Sequence, residues 1–575
     1  MNSPHIAIIG AGEAGAQLAL GLQNSDIKVT LYSDQSAAEV AEGEITSTQC
    51  MFASALTAQK DLSLDCQQLS GVKITGMSFE QTGAGTGFAA EFDHPAQSID
   101  QRLKVSDWIT QFTQRGGDFR IEKVGVRLLE QITSRYDLVI VATGKAELSQ
   151  IFPVDRARSP YDRPQRVVAA TYLDRPLPAD DEANHIRFHH KPESGEFFTF
   201  PGLTHGKECQ MLVFEAVPGS ELDVWDDVSD PDEHLQRTRD VLRQHFPDEF
   251  ARLGECELSD RGATLRGRIT PTVKHPVGTL PSGATVMGIG DAVILNDPIT
   301  GQGSNNAALA AAHCTDAIIR RIRSGAMFDD EWKQQTFEGY WRSWGKWSTT
   351  WTNSLLGGLR NHQLELFSAA ATHPSLAASL VAGFDDPRTL FPWWSDVSEA
   401  HAFIEASARA ESAEFDLRDF RTALGQFATG VTVITTRTAD GRKVGMTANS
   451  FTSVSMDPPL VLWCPGKHVP SLADFESSTH FAINVLASDQ HALSRQFATP
   501  APDKFAGVEI IEGAAGLPVL AGTVASFQCR TVARHDAGDH VIYIGEVEQY
   551  AHDRAEPLVF HSGAYRETAD HPAVS

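Results

Sequence analysis

No stretch of this sequence holds the about 18 consecutive apolar residues that a bilayer crossing requires, so a membrane-spanning helix is excluded. The first residues, Met1-Asn2-Ser3-Pro4-His5, lack a basic segment. The apolar run that follows is broken by Gly10, Gly12 and Glu13 instead of closing on a cleavage site. A secretory leader is therefore not expected, and a cytoplasmic location is. Basic residues are scarce: 48 Lys and Arg face 74 Asp and Glu, leaving a net charge of -26 that repels a polyphosphate backbone. With no basic run to offset it, nucleic acid is excluded as a partner. Cysteine is sparse as well. Cys50, Cys66, Cys209, Cys256, Cys314, Cys464 and Cys529 stand singly, with no C-x-x-C pair and no histidine at zinc spacing, which argues against a disulfide framework or a metal site. His189-His190 lacks a third ligand at a useful spacing and reads as a strand or loop pair. No repeat of fixed period occurs, and Gly83, Gly85 and Gly87 form the only low-complexity patch, read as a loop.

What is present is length and alternation. At 575 residues the chain exceeds one hydrophobic core, and at roughly 150 residues per domain it holds three or four structural units. An apolar strand over His5 to Ile9, a glycine turn, an amphipathic helix through Leu22 and a strand over Lys28 to Tyr32 predict a βαβ unit. The apolar runs Leu138 to Ala142 and Thr285 to Ile289 read as buried parallel strands ending in functional loops. From about 165 to 275 the period-two placement of Phe188, Phe198, Phe200, Leu212 and Phe214 predicts a second sheet, where a substrate would lie. Tryptophan-rich helices over 330 to 401 are expected to pack on the core. An Ala, Ser and Glu composition through Glu414 suits a helical linker. Short β-branched runs beyond it (Val431 to Thr436, Pro459 to Trp463, Phe481 to Leu486, Val524 to Arg530 and Val541 to Val547) predict a small β-barrel. The expected division is 1-400, a linker over 401-413, and 414-575.

Gly10-Ala11-Gly12-Glu13-Ala14-Gly15 follows a strand and opens a helix, where glycines let the backbone approach a pyrophosphate and the helix dipole meets its charge. The acidic residue that should close the second strand and hold the ribose is displaced: Ser33 occupies its place and Asp34 follows. Far downstream come Gly288-Ile289-Gly290-Asp291 and Asp297-Pro298-Ile299-Thr300-Gly301-Gln302-Gly303-Ser304-Asn305-Asn306. A carboxylate at Asp291 can accept ribitol hydroxyl hydrogen bonds. Amides from Gly303 to Asn305, at a helix N-terminus, can stabilise negative charge on a reduced ring. In these elements the chain resembles the flavoprotein monooxygenases, and the resemblance implies FAD.

Asp137-Leu138-Val139-Ile140-Val141-Ala142-Thr143-Gly144, Pro164-Gln165-Arg166 and Asp100-x-Arg102-Leu103 narrow the resemblance to the oxygenase component of styrene and indole monooxygenases over most of residues 1 to 395. The family likeness implies cofactor contacts at Gly10, Gly12, Ala14, Gly15, Ser33, Asp34, Arg102, Thr143, Gly144, Gly290, Asp291, Pro298, Gly301, Gly303, Ser304 and Asn305. It places the reacting centre at Ser47, Thr48, Gln49 and Pro298. Where the styrene enzymes carry an arginine and an asparagine, this chain reads Thr46-Ser47-Thr48-Gln49-Cys50, so pocket polarity and substrate preference are expected to differ. Phe79, Phe198, Phe200 and Met211 are candidate walls for a flat apolar substrate.

Residues 414 to 566 carry Phe420-Arg421-x-Ala423-Leu424-Gly425-Gln426-Phe427-Ala428-Thr429-Gly430-Val431, Gly445-Met446-Thr447-Ala448-Asn449-Ser450-Phe451-Thr452-Ser453-Val454-Ser455 and Asp457-Pro458-Pro459-Leu460-Val461. This segment resembles the flavin reductase partners of two-component monooxygenases, split β-barrels that commonly pair as homodimers. Thr447, Ala448, Asn449 and Ser450 can grip a flavin phosphate and ring edge, with Cys464 alongside and Lys467 supplying charge. Asn484 is a polar residue in an apolar strand, expected to face a ligand, with a backbone partner as the alternative. His540 resembles the family histidine beside the nicotinamide, and Tyr565 is expected near the flavin.

The combined resemblance implies a self-sufficient monooxygenase. NADH, or less readily NADPH, reduces FAD in the C-terminal barrel, and the N-terminal part uses reduced FAD and O2 to epoxidise a styrene-type alkene or indole through a flavin C4a-hydroperoxide. Fusion raises the effective concentration of each part for the other to about millimolar. A separate single-domain oxygenase could share the reduced flavin. Two rival readings remain at this level: direct hydride reduction of the N-terminal domain, as in single-component aromatic hydroxylases, or an N-terminal module that only shields reduced FAD.

Overall fold

The computed structural model describes residues 4–47, 50–62, 64, 72–82, 86–144, 146–174, 184–412, 417–499, 501 and 503–569. The chain forms two compact units, Met1–Ala413 and Glu414–Ser575.

The first unit is built on a six-stranded sheet in the order Val277–Thr279, Thr285–Gly288, Leu138–Val141, His5–Ile9, Lys28–Ser33, Asp118–Ile121. All neighbours run parallel except the hairpin between the first two. Parallel strands need both faces covered, which is why the central runs 6–9 and 138–141 are apolar throughout rather than alternating, while the edge strand Asp118–Ile121 keeps Asp118 and Arg120. Helices Glu13–Gln23, Gln101–Gln114 and Gln302–Ser324 supply Leu18, Leu22, Trp108, Phe112 and Ile318 to one face. Leu129, Ile132, Tyr340, Trp341 and Trp344 cover the other.

A second sheet is ordered Glu257–Leu258, Arg166–Asp174, Lys207–Ala216, Gly195–Thr204, His185–Lys191, Lys73–Gln81, Thr86–Gln97, with Thr264–Ile269 also pairing to Arg166–Asp174. Every residue of Gly195–Thr204 is buried, because its alternate side chains feed two cores. Phe198 and Phe200 join one core with Ile74, Met77 and Met211, while Phe197 joins Phe214, Trp225 and Phe246 in the other. The sheet expected over 165 to 275 is thus present and larger than the local pattern indicates: the hairpin of Lys73–Gln81 and Thr86–Gln97 enters it by a parallel pairing to His185–Lys191. Gly87, read as loop, lies within that hairpin, where a Cβ would sit 2.6 Å from the Phe79 carbonyl oxygen. Gly83 and Gly85 lie outside the described residues.

Helices Asp330–Tyr340, Lys346–Leu356, Asn361–Ala370, Pro374–Asp385 and Val397–Ser412 complete the unit, and Trp332, Trp341, Trp344 and Trp351 are buried among them and the sheets. Among the described residues no helix is long and apolar enough to cross a membrane.

The second unit carries a seven-stranded antiparallel sheet ordered Lys443–Ala448, Thr432–Arg437, His480–Val485, Ala525–Ala537, His540–His552, Pro459–Trp463, Thr452–Met456. Its two edge strands are consecutive in sequence, joined only by Asn449–Phe451. The sheet must therefore curl until its unpaired edges meet, which makes it a barrel split along one side. Ile434, Trp463, Phe475, Phe481, Ile483, Cys529 and Tyr543 fill the interior.

Candidate functional site

In the first unit three loops converge because they leave the same end of three adjacent parallel strands, where ligands bind in open α/β sheets. Gly10 ends the first strand at φ 107°, a conformation that disfavours any side chain. A Cβ at Gly15 would lie 1.9 Å from the Gly10 carbonyl oxygen, so the turn and the helix after it can pack this closely only as glycines. Gly12 caps that helix without a side-chain hydrogen bond, leaving its first amides facing outward with Ala14 buried beneath them. On the neighbouring strand, a Cβ at Gly144 would lie 2.7 Å from Asp291 Cβ, and one at Gly10 would lie 3.1 Å from Thr143 Cβ. The Gly-rich turn, Thr143-Gly144 and Gly290-Asp291 therefore form one continuous cradle. Asp291 is crowded by protein yet reached by solvent; the crowding strips water from its carboxylate and raises its pKa to about 6. Ser33 ends its strand with Oγ accepting from the Gln35 amide at 3.2 Å, and Asp34 beside it is exposed.

The second approach to this cradle is the Pro298–Thr300 turn. Gly301, at φ 65°, caps Gln302–Ser324 with no side-chain hydrogen bond, so amides near Gly303 are again available. Ser47 comes to this helix start, its Oγ 3.4 Å from Ser304 Oγ, and its carbonyl accepts from the Tyr172 hydroxyl at 2.8 Å. Thr48 and Gln49, the other members of that candidate set, lie outside the described residues. Such a cradle, with uncapped helix amides at two places and a solvent-reached carboxylate between, fits a dinucleotide flavin.

Beyond Ile299 opens a cavity of about 840 Å³ walled by Met77, Phe79, Phe88, Phe188, Phe367, Trp351 and Trp394. Its polar end carries Arg163, Arg166, His190 and Glu196. Arg166 and Glu196 form a buried pair at 2.7 Å.

Several expected contacts are corrected. Arg102 is not available to a flavin: its guanidinium is buried and donates to Asp100, Asp260, Thr204 and the Gly43 carbonyl, clamping the helix Gln101–Gln114 to the second sheet. The Asn305 side chain is spent within the protein, accepting from the Phe52 amide and donating to the Cys50 and Gly301 carbonyls, which leaves the expectation for the helix-start amides as it stood. Of the four proposed wall residues, only Phe79 lines the cavity. Phe198 stacks behind Phe188 with centroids 5.5 Å apart, and Phe200 and Met211 sit deeper in the core. The residues that do form the wall were missed because they come from five elements and a turn with no shared local signal.

In the second unit the candidate residues gather where the barrel splits. Thr447 ends one edge strand and its hydroxyl donates to the Ser494 carbonyl at 2.6 Å; the Tyr565 hydroxyl donates to Ser494 Oγ at 2.9 Å. Ser494 and Arg495, whose guanidinium lies 5.9 Å from the Tyr565 ring centre, are additions that the sequence reading did not contain. Ala448 is half-buried, Asn449 is exposed, and Ser450 Oγ accepts from the Cys464 amide at 2.9 Å. Lys467 and His540 share a rim: the Lys467 amide donates to the Asp539 carbonyl at 2.8 Å, and His540 Nδ1 lies 2.8 Å from the Asp539 carboxylate. Asn484 is corrected in favour of its backbone alternative. It is fully buried, donates to the Val433 carbonyl and accepts from the Leu520 amide, so it braces the core.

Comparison with known proteins adds the following. Residues 424–569 match the flavin reductase-like domain family, 144–252 match the substrate-binding domain of styrene monooxygenase A, and 4–165 match the pyridine nucleotide-disulphide oxidoreductases. The FMN reductase (NADH) SmoA of Agrobacterium fabrum is 51% identical over 148 residues, 26% of this chain and 84% of that protein. The styrene monooxygenase StyA of Pseudomonas fluorescens is 28% identical over 365 residues, 62% of this chain and 85% of that protein. A solved NADH:FAD oxidoreductase from Streptomyces globisporus C-1027, in complex with NAD and FAD fragments, is 38% identical and covers 28% of this chain and 96% of its own, with a TM-score of 0.27.

Proposed function

Because the chain belongs to the flavin reductase family through its C-terminal unit and carries a StyA-like oxygenase ahead of it, we propose that this self-sufficient flavin monooxygenase uses NADH and FAD to epoxidise a small aromatic alkene or indole. The observation that carries the substrate class is the aromatic-walled cavity opening beside Ile299 of the turn that leads into the Gly301-capped helix. A flat apolar ring gains from burial there, at roughly 25 cal/mol per Å² of surface removed from water.

FAD bound in the cradle would supply, once reduced, the electrons that activate O2. The chain's own residues do the rest. Gly10, Gly12 and Gly15 admit the pyrophosphate to unpaired amides, and Asp291 receives the ribitol hydroxyls. Amides near Gly303 and Ser304, at the start of the Gly301-capped helix, would stabilise negative charge on the reduced ring. Phe79, Phe88 and Phe188 orient the alkene and exclude water, on which productive oxygen transfer depends. In the second unit the segment from Thr447 to Ser450, with Tyr565, would hold the flavin that accepts hydride, and His540 with Lys467 would meet the nicotinamide side. Dependence on NADH, an intracellular reductant, supports a cytoplasmic setting, and the reductase unit is taken to pair with a second copy.

The test uses the intact protein with NADH, FAD, O2 and, separately, styrene and indole. Styrene oxide or indigo formed in step with NADH consumption is the expected outcome. Brisk NADH oxidation without oxygenation of any aryl alkene would instead favour an N-terminal unit that only binds and shields reduced flavin.

A further inference from the structure

Two carboxyl groups are buried together where the Pro298 turn meets the second sheet. Glu215, on Lys207–Ala216, and Asp297, immediately before Pro298, have no solvent exposure. No N–H or O–H reaches either Glu215 oxygen or Asp297 Oδ2, and Asp297 Oδ1 accepts only the Ile299 amide, at 3.2 Å. The two side chains nevertheless stand within hydrogen-bonding reach of each other.

Their surroundings cannot neutralise two charges. Arg166 is the nearby cation, and Glu196 already takes its Nε and Nη2 at 2.7 and 3.1 Å. Glu196 is also the direct cross-strand neighbour of Glu215, adding a third carboxylate to the same site. His190 lies 3.3 Å from Glu196 and is spent on it, while Tyr161 contributes a neutral phenol near Asp297. Two ionised carboxylates in contact, without a donor between them, carry a desolvation cost and a repulsion that this environment does not offset. A single proton turns one group into a donor and the other into its acceptor.

We propose that Glu215 and Asp297 hold one proton between them, and that this O–H···O bridge latches the turn from Asp297 to Gly303 onto the second sheet, making Glu215 a positioning residue for that turn. Burial raises both carboxyls above the ordinary carboxylate range, and the neighbouring Asp297 charge raises Glu215 further, so the bridge is intact at neutral pH. The sign follows: with the folded pKa raised, the stability contribution is fully present below the unfolded value near 4 and is lost as pH rises through the folded one. In alkaline solution the bridge opens and the turn loosens. The role of the turn in holding flavin rests on the function proposed above; the bridge itself does not.

The full-length protein without added ligand tests this in two ways. The infrared difference between wild type and Glu215→Gln should contain the C=O stretch of a protonated carboxyl at neutral pH, shifting in D2O, and Asp297→Asn should remove the same band. Amide exchange of the peptide covering residues 297 to 303, corrected for intrinsic rate, should quicken about tenfold in wild type between about pH 6 and about pH 9. It should stay flat in both variants, whose amide N–H bridges permanently. Absence of that band from both differences, or the same pH response in wild type and variants, overturns the proposal; if one variant does not fold, the other decides. Neither readout involves flavin or product, so a failure here is distinct from a failure of the proposed function.

Discussion

In the first unit the candidate flavin contacts are chiefly backbone: uncapped amides after Gly12 and Gly301, and a turn whose glycines cannot carry a side chain. In the second they are side chains, Thr447, Ser450 and Tyr565, arranged around Ser494 and Cys464 at the split of a barrel. The difference follows from the folds. A parallel sheet presents strand ends and helix starts at one edge, so its free amides are the binding surface. An antiparallel barrel has its amides paired in ladders and must offer hydroxyls and charges instead. Backbone sites tolerate no added atoms, whereas side-chain sites can be tuned one group at a time.

The sharpest way to break this contrast is Gly15→Ala. With a Cβ 1.9 Å from a carbonyl oxygen, product formation should fall on the order of 1000-fold, while NADH-driven flavin reduction in the same chain stays within about twofold. A parallel fall of both rates would mean that the units do not work independently. Next in size is Arg102→Leu, which leaves Asp100 buried without its cation and should destabilise the first unit by about 3–5 kcal/mol in denaturant melts. Asn484→Ala should cost the second unit about 2 kcal/mol, seen by calorimetry as a lowered transition for that unit alone. Thr447→Val tests the side-chain half of the comparison. It removes one hydroxyl and should raise the flavin KM of the reductase by roughly tenfold or less, with kcat little changed.

The smallest effect concerns Asp291. Its raised pKa means that its contribution to stability is present in acid and lost as pH climbs through about 6. Asp291→Asn should therefore raise Tm by roughly 1–2 °C at alkaline pH and leave it unchanged in acid, solvent access keeping the shift small. The same substitution should weaken FAD binding to the first unit. An unchanged pH–Tm profile would remove Asp291 from the set of strained carboxylates.

Legibility differed between elements for physical reasons. The βαβ start, Gly290-Asp291 and the turn from Pro298 could be read because each is a local backbone requirement written in glycine and proline. Five of the seven barrel strands could be read because β-branched runs of that length have few alternatives, whereas the two edge strands, Lys443–Ala448 and Thr452–Met456, lack such a run. Asn484 and Arg102 were misjudged for a common reason. A polar residue in an apolar strand and an arginine at a helix start advertise a partner, but only packing reveals whether that partner is a ligand, as expected, or the Leu520 amide and Asp260. The cavity wall was hardest, since Phe88, Phe367 and Trp351 carry no motif and come together only where helices more than 250 residues downstream pack on the strand Thr86–Gln97.

By itself the sequence determined the local geometry: where the chain must turn on glycine, where a helix begins without a cap, which runs alternate and which are wholly apolar. Tertiary structure alone decided which polar groups were spent on one another and which were left facing a cavity. It also brought Glu215 to Asp297, two carboxyls 82 positions apart in the chain. Hydrogen-bond satisfaction and desolvation depend on what arrives from elsewhere in the fold, and no local pattern encodes that arrival.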